Sequence, residues 1–403
     1  MSAAVPASGS PPAPPAGAPA APREDSGSDS GSEEEVSEEE EEAWAEGGSP
    51  EAAEDLLDPL WHVRDTAAFV AARATHVTLD RAAVRAVAAT WAESGLGSVP
   101  PVFDRALHFV DESRPRLTAQ YFFVLDALNF CFWPDADGAQ LRSASHRVGP
   151  PLTAFSAAAP SAAEAFEYHH LAMGLKASVD EDPSCLEAER LVRLDGPGLR
   201  RLLRFPRPLP CEAERARVLR ATAAPLLTTF GGSAAAMILA ARGSAAALVA
   251  LVVAHFPPFR DSALYRGRQV FFYKRAQIFV GDLFGAFGGD GLGAFADIAA
   301  LTMFADYRVP VVLRQLGILR YSPQLAEAVA AGKQLPAGGE EEVEIRGCSI
   351  AAVEALRDAL GGAAARAGRA GPSALALDWH LWECGEQSRL TAPPHHKTLS
   401  IFY

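Results

Sequence analysis

Four short stretches carry polar residues that neither a packed core nor a solvated surface demands. Residues 270–277 read VFFYKRAQ and set Lys274 and Arg275 where a helix-forming run begins. A helix N-terminus already carries partial positive charge, so cations there cost about a few tenths of a kcal/mol. The placement makes sense if an anion binds, because free backbone N–H groups and the helix dipole favour phosphate at that end. Two solvated surface cations are the plainer alternative. Residues 302–310, TMFADYRVP, put Asp306 between one helical run and the start of the next at Pro310. A carboxylate at such a junction can project into a cleft from a rigid frame, or simply cap the second helix. Residues 344–349, EIRGCS, place Arg346 ahead of a helix start, a second position for an anion unless Arg346 pairs with Glu344. Residues 377–383, LDWHLWE, make Trp379 and Glu383, and also Asp378 and Trp382, neighbours at i,i+4 on a helix. Aromatics beside carboxylates suit a flat heterocycle that carries a cation, although a core helix with a solvated acidic edge gives the same pattern.

The elements that must hold these residues read as mainly helical with a few short strands. Apolar periodicity begins near Leu60 and recurs over residues 80–94, with Asp80 as N-cap. A segment over 104–110 carries His108, and the aromatic-rich run 117–133 should cross the core. Residues 134–160 are rich in turn formers and suit a short hairpin, and a helical pattern resumes at Ser161. Ser233 caps a helix, Arg266-Gly267 turns into a strand over 269–273, and a helix over 274–287 follows. The glycine-rich loop 288–293 should lead to a helix over 295–305. Pro310 opens the next helix, Gly317 ends it, and Ser322-Pro323 opens another. Residues 342–345 alternate like a strand, Ser349 caps a helix to about Leu360, and residues 374–384 form a last amphipathic helix. The terminal residues 400–403 are apolar enough to dock.

Composition separates a tail from a body. Sixteen of the 50 acidic residues but one of the 36 basic ones fall in positions 1–60, so the rest carries 34 acidic against 35 basic residues. Residues 1–58, Pro/Ala-rich and then acidic, cannot bury enough apolar surface to offset the entropy of ordering, and residues 59–403 read as one catalytic body, in one piece or two closely packed helical lobes. A near-neutral body is unsuited to a long polynucleotide track. Five scattered cysteines without a C-x-x-C pair point to a reducing compartment, cytoplasmic or nuclear, and no metal-ligand spacing appears. The most apolar stretch, 244–256, is too short to span a bilayer and reads as a buried helix.

Together and in this order the strings resemble the queuosine salvage family, the queuosine 5′-phosphate N-glycosylases. The likeness covers residues 61–403 and is carried by FYKRAQ at 272–277, TMFADYR at 302–308, VEIRGCS at 343–349 and the ending around 396–403. Asn129 with the following Phe130-Cys-Phe-Trp133, and FPPFRD at 256–261, add to it. The resemblance implies hydrolysis of queuosine 5′-monophosphate to queuine and ribose 5-phosphate, returning queuine for tRNA modification, with neither cofactor nor metal. It implies a fold related to the helix–hairpin–helix DNA glycosylases, with the helices around Gly317 as the candidate hairpin. Asp306 corresponds to the family's catalytic aspartate. His108, Phe304, Asp378, Trp379 and Glu383 fall where the base is contacted, and Tyr273 and Lys274 near the phosphate and ribose. Arg308 and Arg346 are assigned to the phosphate from charge and placement. Glu383 stands where Asp is usual, Trp379 where Tyr is frequent, and Leu399 where a basic residue is common.

The chemistry matches the residue types. Breaking an N-glycosidic bond builds positive charge on the sugar, which a carboxylate can stabilise, attack, or serve by orienting water. Queuine, a 7-deazaguanine, lacks a ring nitrogen that many nucleoside hydrolases protonate, so polar contacts to the base edge and stacking carry more of the work. Two other readings remain: an N-glycohydrolase of a different modified nucleotide, and a non-catalytic tRNA-binding or scaffold protein.

Overall fold

The computed structural model describes residues 58–93, 103–133 and 165–403. The expected hairpin within 134–160 lies outside them. In chain order the described elements are α1 (Pro59–Ala71), β1 (Val77–Leu79), α2 (Arg81–Glu93), α3 (Pro115–Ala127), α4 (Tyr168–Glu181), α5 (Ala188–Leu191), α6 (Gly196–Leu202), α7 (Glu212–Phe230), α8 (Ala234–Ala240) and α9 (Ala245–His255). There follow β2 (Ser262–Tyr265), β3 (Arg268–Phe271), α10 (Lys274–Phe287), α11 (Val309–Gln315), β4 (Leu319–Tyr321), α12 (Pro323–Ala330), α13 (Glu340–Arg366) and α14 (Ala374–Ser388). The protein is mainly helical. The strands form two antiparallel pairs, β1 with β4 and β2 with β3.

Local chemistry accounts for most helix starts. The Asp58 side chain accepts from the Leu60 amide and Pro59 occupies the first turn, so α1 begins at Pro59. Asp80, Ser233, Ser244 and Ser322 cap α2, α8, α9 and α12 in the same way. α3 is buried on every side from Thr118 to Ala127, as its aromatic run predicts. Among the described residues no single helix is long and apolar enough to cross a membrane.

Two hydrophobic clusters divide the body. One gathers α3, α4 and the helices from α5 to α10; the other gathers α1, α2 and α11 to α14 around both strand pairs. The segment before α11 straddles them, since Phe304 belongs to the first cluster and Met303 and Ala305 to the second. On α14, Leu375 packs with the first, and Leu377 and Leu381 with the second. The seam between the clusters is where the polar residues converge.

Four expectations are corrected. Residues 342–345 are not a strand, and Ser349 is not a cap. Both lie inside α13, which runs 27 residues, and Ser349 Oγ donates back to the Ile345 carbonyl. The apparent alternation reflects a helix buried on more than one side, where Val343, Glu344, Ile345 and Arg346 are all inaccessible. The expected helix over 295–305 is a single 3-10 turn, Ile298–Ala300, followed by extended chain to Asp306. α4 starts at Tyr168 after non-helical residues 165–167, and the expected onset at Ser161 lies outside the described residues. The helices flanking Gly317 are joined through strand β4 rather than by a bare turn, although Gly317 does end α11 in the left-handed conformation at φ +72°.

Candidate active site

The β2–β3 hairpin delivers the chain to α10, whose first residue is Lys274. Tyr273 makes the bend with φ 49°, a left-handed conformation uncommon for a non-glycine residue. The anion invited by this helix start is supplied by the protein itself. Asp261 Oδ2 accepts from the Lys274 amide at 3.1 Å, and the Asp261 carbonyl accepts from Phe272 and Tyr273. Arg346 answers Asp261 with two hydrogen bonds of 2.9 and 2.6 Å, donates to the Ala305 carbonyl at 3.0 Å, and lies between the rings of Phe272 and Tyr403. Arg346 is therefore committed to Asp261 and the Ala305 carbonyl, and it sits within the second turn of α13 rather than ahead of a helix. It braces the peptide next to Asp306 against the start of α10. Arg275 is likewise buried and donates to the carbonyls of Ala127 and Pro258.

The extended segment before α11 keeps its backbone satisfied by side chains from two helices and Arg346. Gln277 Oε1 of α10 accepts from the Thr302 amide at 2.9 Å, Asp378 Oδ1 of α14 accepts from the Phe304 amide at 2.9 Å, and Arg346 of α13 holds the Ala305 carbonyl. Asp306 then turns the chain into α11. Its Oδ1 accepts from the amides of Arg308 and Val309 at 2.9 and 3.0 Å, while Oδ2 has no hydrogen-bond partner among the described residues. Asp306 is buried. Burial raises its carboxyl above the ordinary range, and the Lys274 ammonium and the two amides oppose that rise. These partners and the nearby Arg308 charge favour the anionic form of Asp306 against the effect of burial.

Lys274 is buried, and its ammonium donates to the Asn129 carbonyl at 3.1 Å. Burial lowers its affinity for a proton, while Asp306, Asp126 and Asp378 act to restore it. These surroundings are carboxylates rather than an open anion site. Asp378 is held well above its ordinary range by burial and by Asp306. Asp126 of α3 is pushed up to about 8, chiefly by burial. Asp282 of α10 is also raised, by burial first and by Asp126 second. One ammonium thus serves four buried carboxyls, which cannot all ionise together.

Aromatic rings close this cluster. Phe304 is buried against α10, and Trp379 of α14 lies near Phe103, ring centres 6.2 Å apart. Phe103 stacks on His108 at 4.9 Å. His108 is fixed at both nitrogens, Nδ1 to the Asp104 carbonyl and Nε2 to the Tyr168 hydroxyl, each at 2.8 Å, and burial pushes it down to about 4, so it is neutral near pH 7.

The structure therefore brings together Asp306, Lys274, Phe304, Asp378, Trp379 and, through Phe103 and Tyr168, His108. Glu383 and Tyr273 lie apart, while Arg308 stays beside Asp306 and its charge favours the carboxylate. Glu383 is exposed on α14 and bonded to Gln387, because five residues after Asp378 the helix has turned to its other side. Tyr273 lines a separate open cleft of about 410 Å³ with His62, Arg260 and Gln269, and none of the clustered carboxylates borders it. Arg308, next to Asp306, is engaged with Glu386 at 2.7 Å. Sequence reasoning missed Asp126, Asp282, Asp261, Tyr168 and Phe103. The signal for the first two was present: each is a carboxylate inside an otherwise apolar helical run, FFVLDAL and FVGDLFG, where charge is rare without a reason.

A buried carboxylate held by two backbone amides near an ammonium, a neutral fixed imidazole and neighbouring aromatic rings suit cleavage at a carbon that becomes positive, beside a flat leaving group. Residues 107–403 match the family model described as queuosine salvage protein. Queuosine 5′-phosphate N-glycosylase/hydrolase of Dictyostelium discoideum is 39% identical over 360 residues, covering 86% of this chain and all of the relative. The protein of the same name from Sphaerobacter thermophilus is 41% identical over 341 residues, 85% of this chain and 97% of its own. The Bos taurus protein is 34% identical over 358 residues, again spanning its full length. The chain belongs to the queuosine salvage protein family.

Proposed function

We propose that this protein hydrolyses the N-glycosidic bond of queuosine 5′-phosphate, releasing queuine and ribose 5-phosphate and so returning queuine for tRNA modification. The observation that carries this reading is the state of Asp306. One oxygen is tied to two backbone amides, the other has no partner among the described residues, and the ammonium of Lys274 favours its charge. As the bond to the base lengthens, C1′ becomes electron-poor, and a fixed carboxylate stabilises that charge without reorganising. Water then completes the sugar. The relatives carry the same activity in their names.

The leaving group is a flat base, and Phe304 and Trp379 are the rings on which it would stack, worth about 1–3 kcal/mol per stacked base in single-strand binders. Asp378, which already accepts from the Phe304 amide, and neutral His108 supply polar contacts at the base edge. Lys274 acts chiefly on the carboxylates in this scheme rather than on the phosphate. The substrate is a small nucleotide, with neither polynucleotide nor membrane as partner, in a reducing cytoplasmic or nuclear compartment. A relation to the helix–hairpin–helix DNA glycosylases rests on the mainly helical fold alone, since β4 stands between the helices flanking Gly317. Residues 1–58 are an appendage to the catalytic body.

Incubation with queuosine 5′-phosphate should yield queuine and ribose 5-phosphate in equal amounts. Cleavage of another modified nucleotide, with queuosine 5′-phosphate left intact, would favour the sister reading of a glycohydrolase with a different base.

A further inference from the structure

Asp126 and Asp282 have no part in the scheme so far. Both are buried, and in each the Oδ2 atom is sealed from solvent with no hydrogen-bond partner among the described residues. Leaving a buried acceptor unsatisfied is costly, and more so on a group that can ionise. Such atoms persist where a ligand completes them. Among the described residues no three acidic, His or Cys side chains are placed to hold one metal ion.

Glycines on α10 single out Asp282. A Cβ at Gly281 would come within 2.9 Å of Phe304 Cζ, and one at Gly285 within 2.4 Å of Phe103 and 3.1 Å of Trp379 Cη2. The three rings therefore lie directly on the helix backbone, Phe304 on one side of Asp282 and the Phe103–Trp379 pair on the other. Four helical residues rise about 6 Å, close to the spacing that one flat ring needs between two others. Asp282 belongs to the same helical face, and it is near enough to Asp378, Asp126 and Lys274 for their charges to be felt.

Resting on the reading of the protein as a queuosine 5′-phosphate hydrolase, we propose that Asp282 is the specificity residue for the leaving base, its free oxygen accepting N–H donors of a 7-deazaguanine held between Phe304 and the Phe103–Trp379 pair. Two donors of the base share this chemistry: the N1–H and 2-amino edge of the ring, and the ammonium of its side chain. Burial holds the Asp282 carboxyl well above its ordinary range, and a donor that reaches the free oxygen draws it back toward the charged form, whose hydrogen bonds are the stronger ones. The same contact accounts for the retention of an unpaired carboxylate at a position where a neutral side chain would pack at lower cost.

The test compares the full-length protein with Asp282→Asn. Three substrates are used: queuosine 5′-phosphate, 7-deazaguanosine 5′-phosphate, which lacks the side chain, and a queuosine 5′-phosphate analogue without the 2-amino group. The substitution should lower kcat/KM for queuosine 5′-phosphate by about 10- to 100-fold without lowering Tm. For one analogue, already a poorer substrate of the wild type, it should have little further effect, and that analogue identifies the donor. An unchanged kcat/KM, or the same loss on all three substrates, would overturn the proposal. If Asp282→Asn does not fold, Asp282→Ser is read by the same criteria. Calorimetry with free queuine reads the contact without turnover. A Kd raised about tenfold or more in the variant supports the assignment, and an unchanged Kd overturns it. Failure of the wild type to release base from queuosine 5′-phosphate would instead count against the function, leaving the calorimetric result to judge Asp282.

Discussion

Lys274 and Asp306 define each other's charge. Burial alone would neutralise both, raising the carboxyl and lowering the ammonium, and each is drawn back by the other. The proposed reaction uses Asp306 as an anion. Replacing Lys274 with Met removes an influence that lowers the Asp306 pKa, so the carboxylate must titrate at higher pH. The Lys274→Met protein should therefore lose activity at neutral pH, with the acidic limb of its pH–rate profile displaced upward. Because this role is exerted on the carboxylate, the loss should be similar for the 5′-phosphate and for the free nucleoside. A defect confined to KM of the phosphorylated substrate would restore the phosphate-holding role expected from the helix start. That expectation arose because two cations at a helix N-terminus do invite an anion. The residue that meets it, Asp261, lies 13 positions upstream, across the β2–β3 hairpin, and no local pattern announces such a partner.

At the level of elements, the site is an extended segment clamped by helices. Asp306 was legible from its place before Pro310, and α10 was legible to its end residues because a hairpin and two glycines bound it. The run 295–305 was not, since its apolar spacing suits a helix while its backbone is satisfied at a distance by Gln277, Asp378 and Arg346. α13 failed for a related reason. A helix buried on several sides loses the amphipathic period, and its polar residues Glu344 and Arg346 are spent on the neighbouring amides of Thr75, His76 and Val77 and on Asp261. Arg346→Met tests the clamp. It leaves Asp261 buried without its counter-ion, a change worth roughly 3–5 kcal/mol when one partner of a buried pair is removed. Denaturant unfolding should show that loss. A variant as stable as the wild type would mean that Arg346 is not the brace.

Across the whole molecule, two hydrophobic clusters meet along a seam, and the carboxylates with their single ammonium lie in it. This arrangement excludes water from the place where charge develops and leaves the rest of the body free of catalytic duty. The proposed site is built entirely from residues after Asp58, the N-cap of α1. A protein lacking residues 1–57 should therefore match the full chain in Tm and in turnover; a drop in turnover at unchanged Tm would give the tail a part in catalysis. The central claim, that Asp306 carries the cleavage of queuosine 5′-phosphate, is tested most directly by mass-spectrometric measurement of queuine release by the wild type and by Asp306→Ala. The account predicts release by the wild type and a folded variant slower by at least about 100-fold, the scale for removing one preorganised charge stabiliser. Comparable release by both would contradict it.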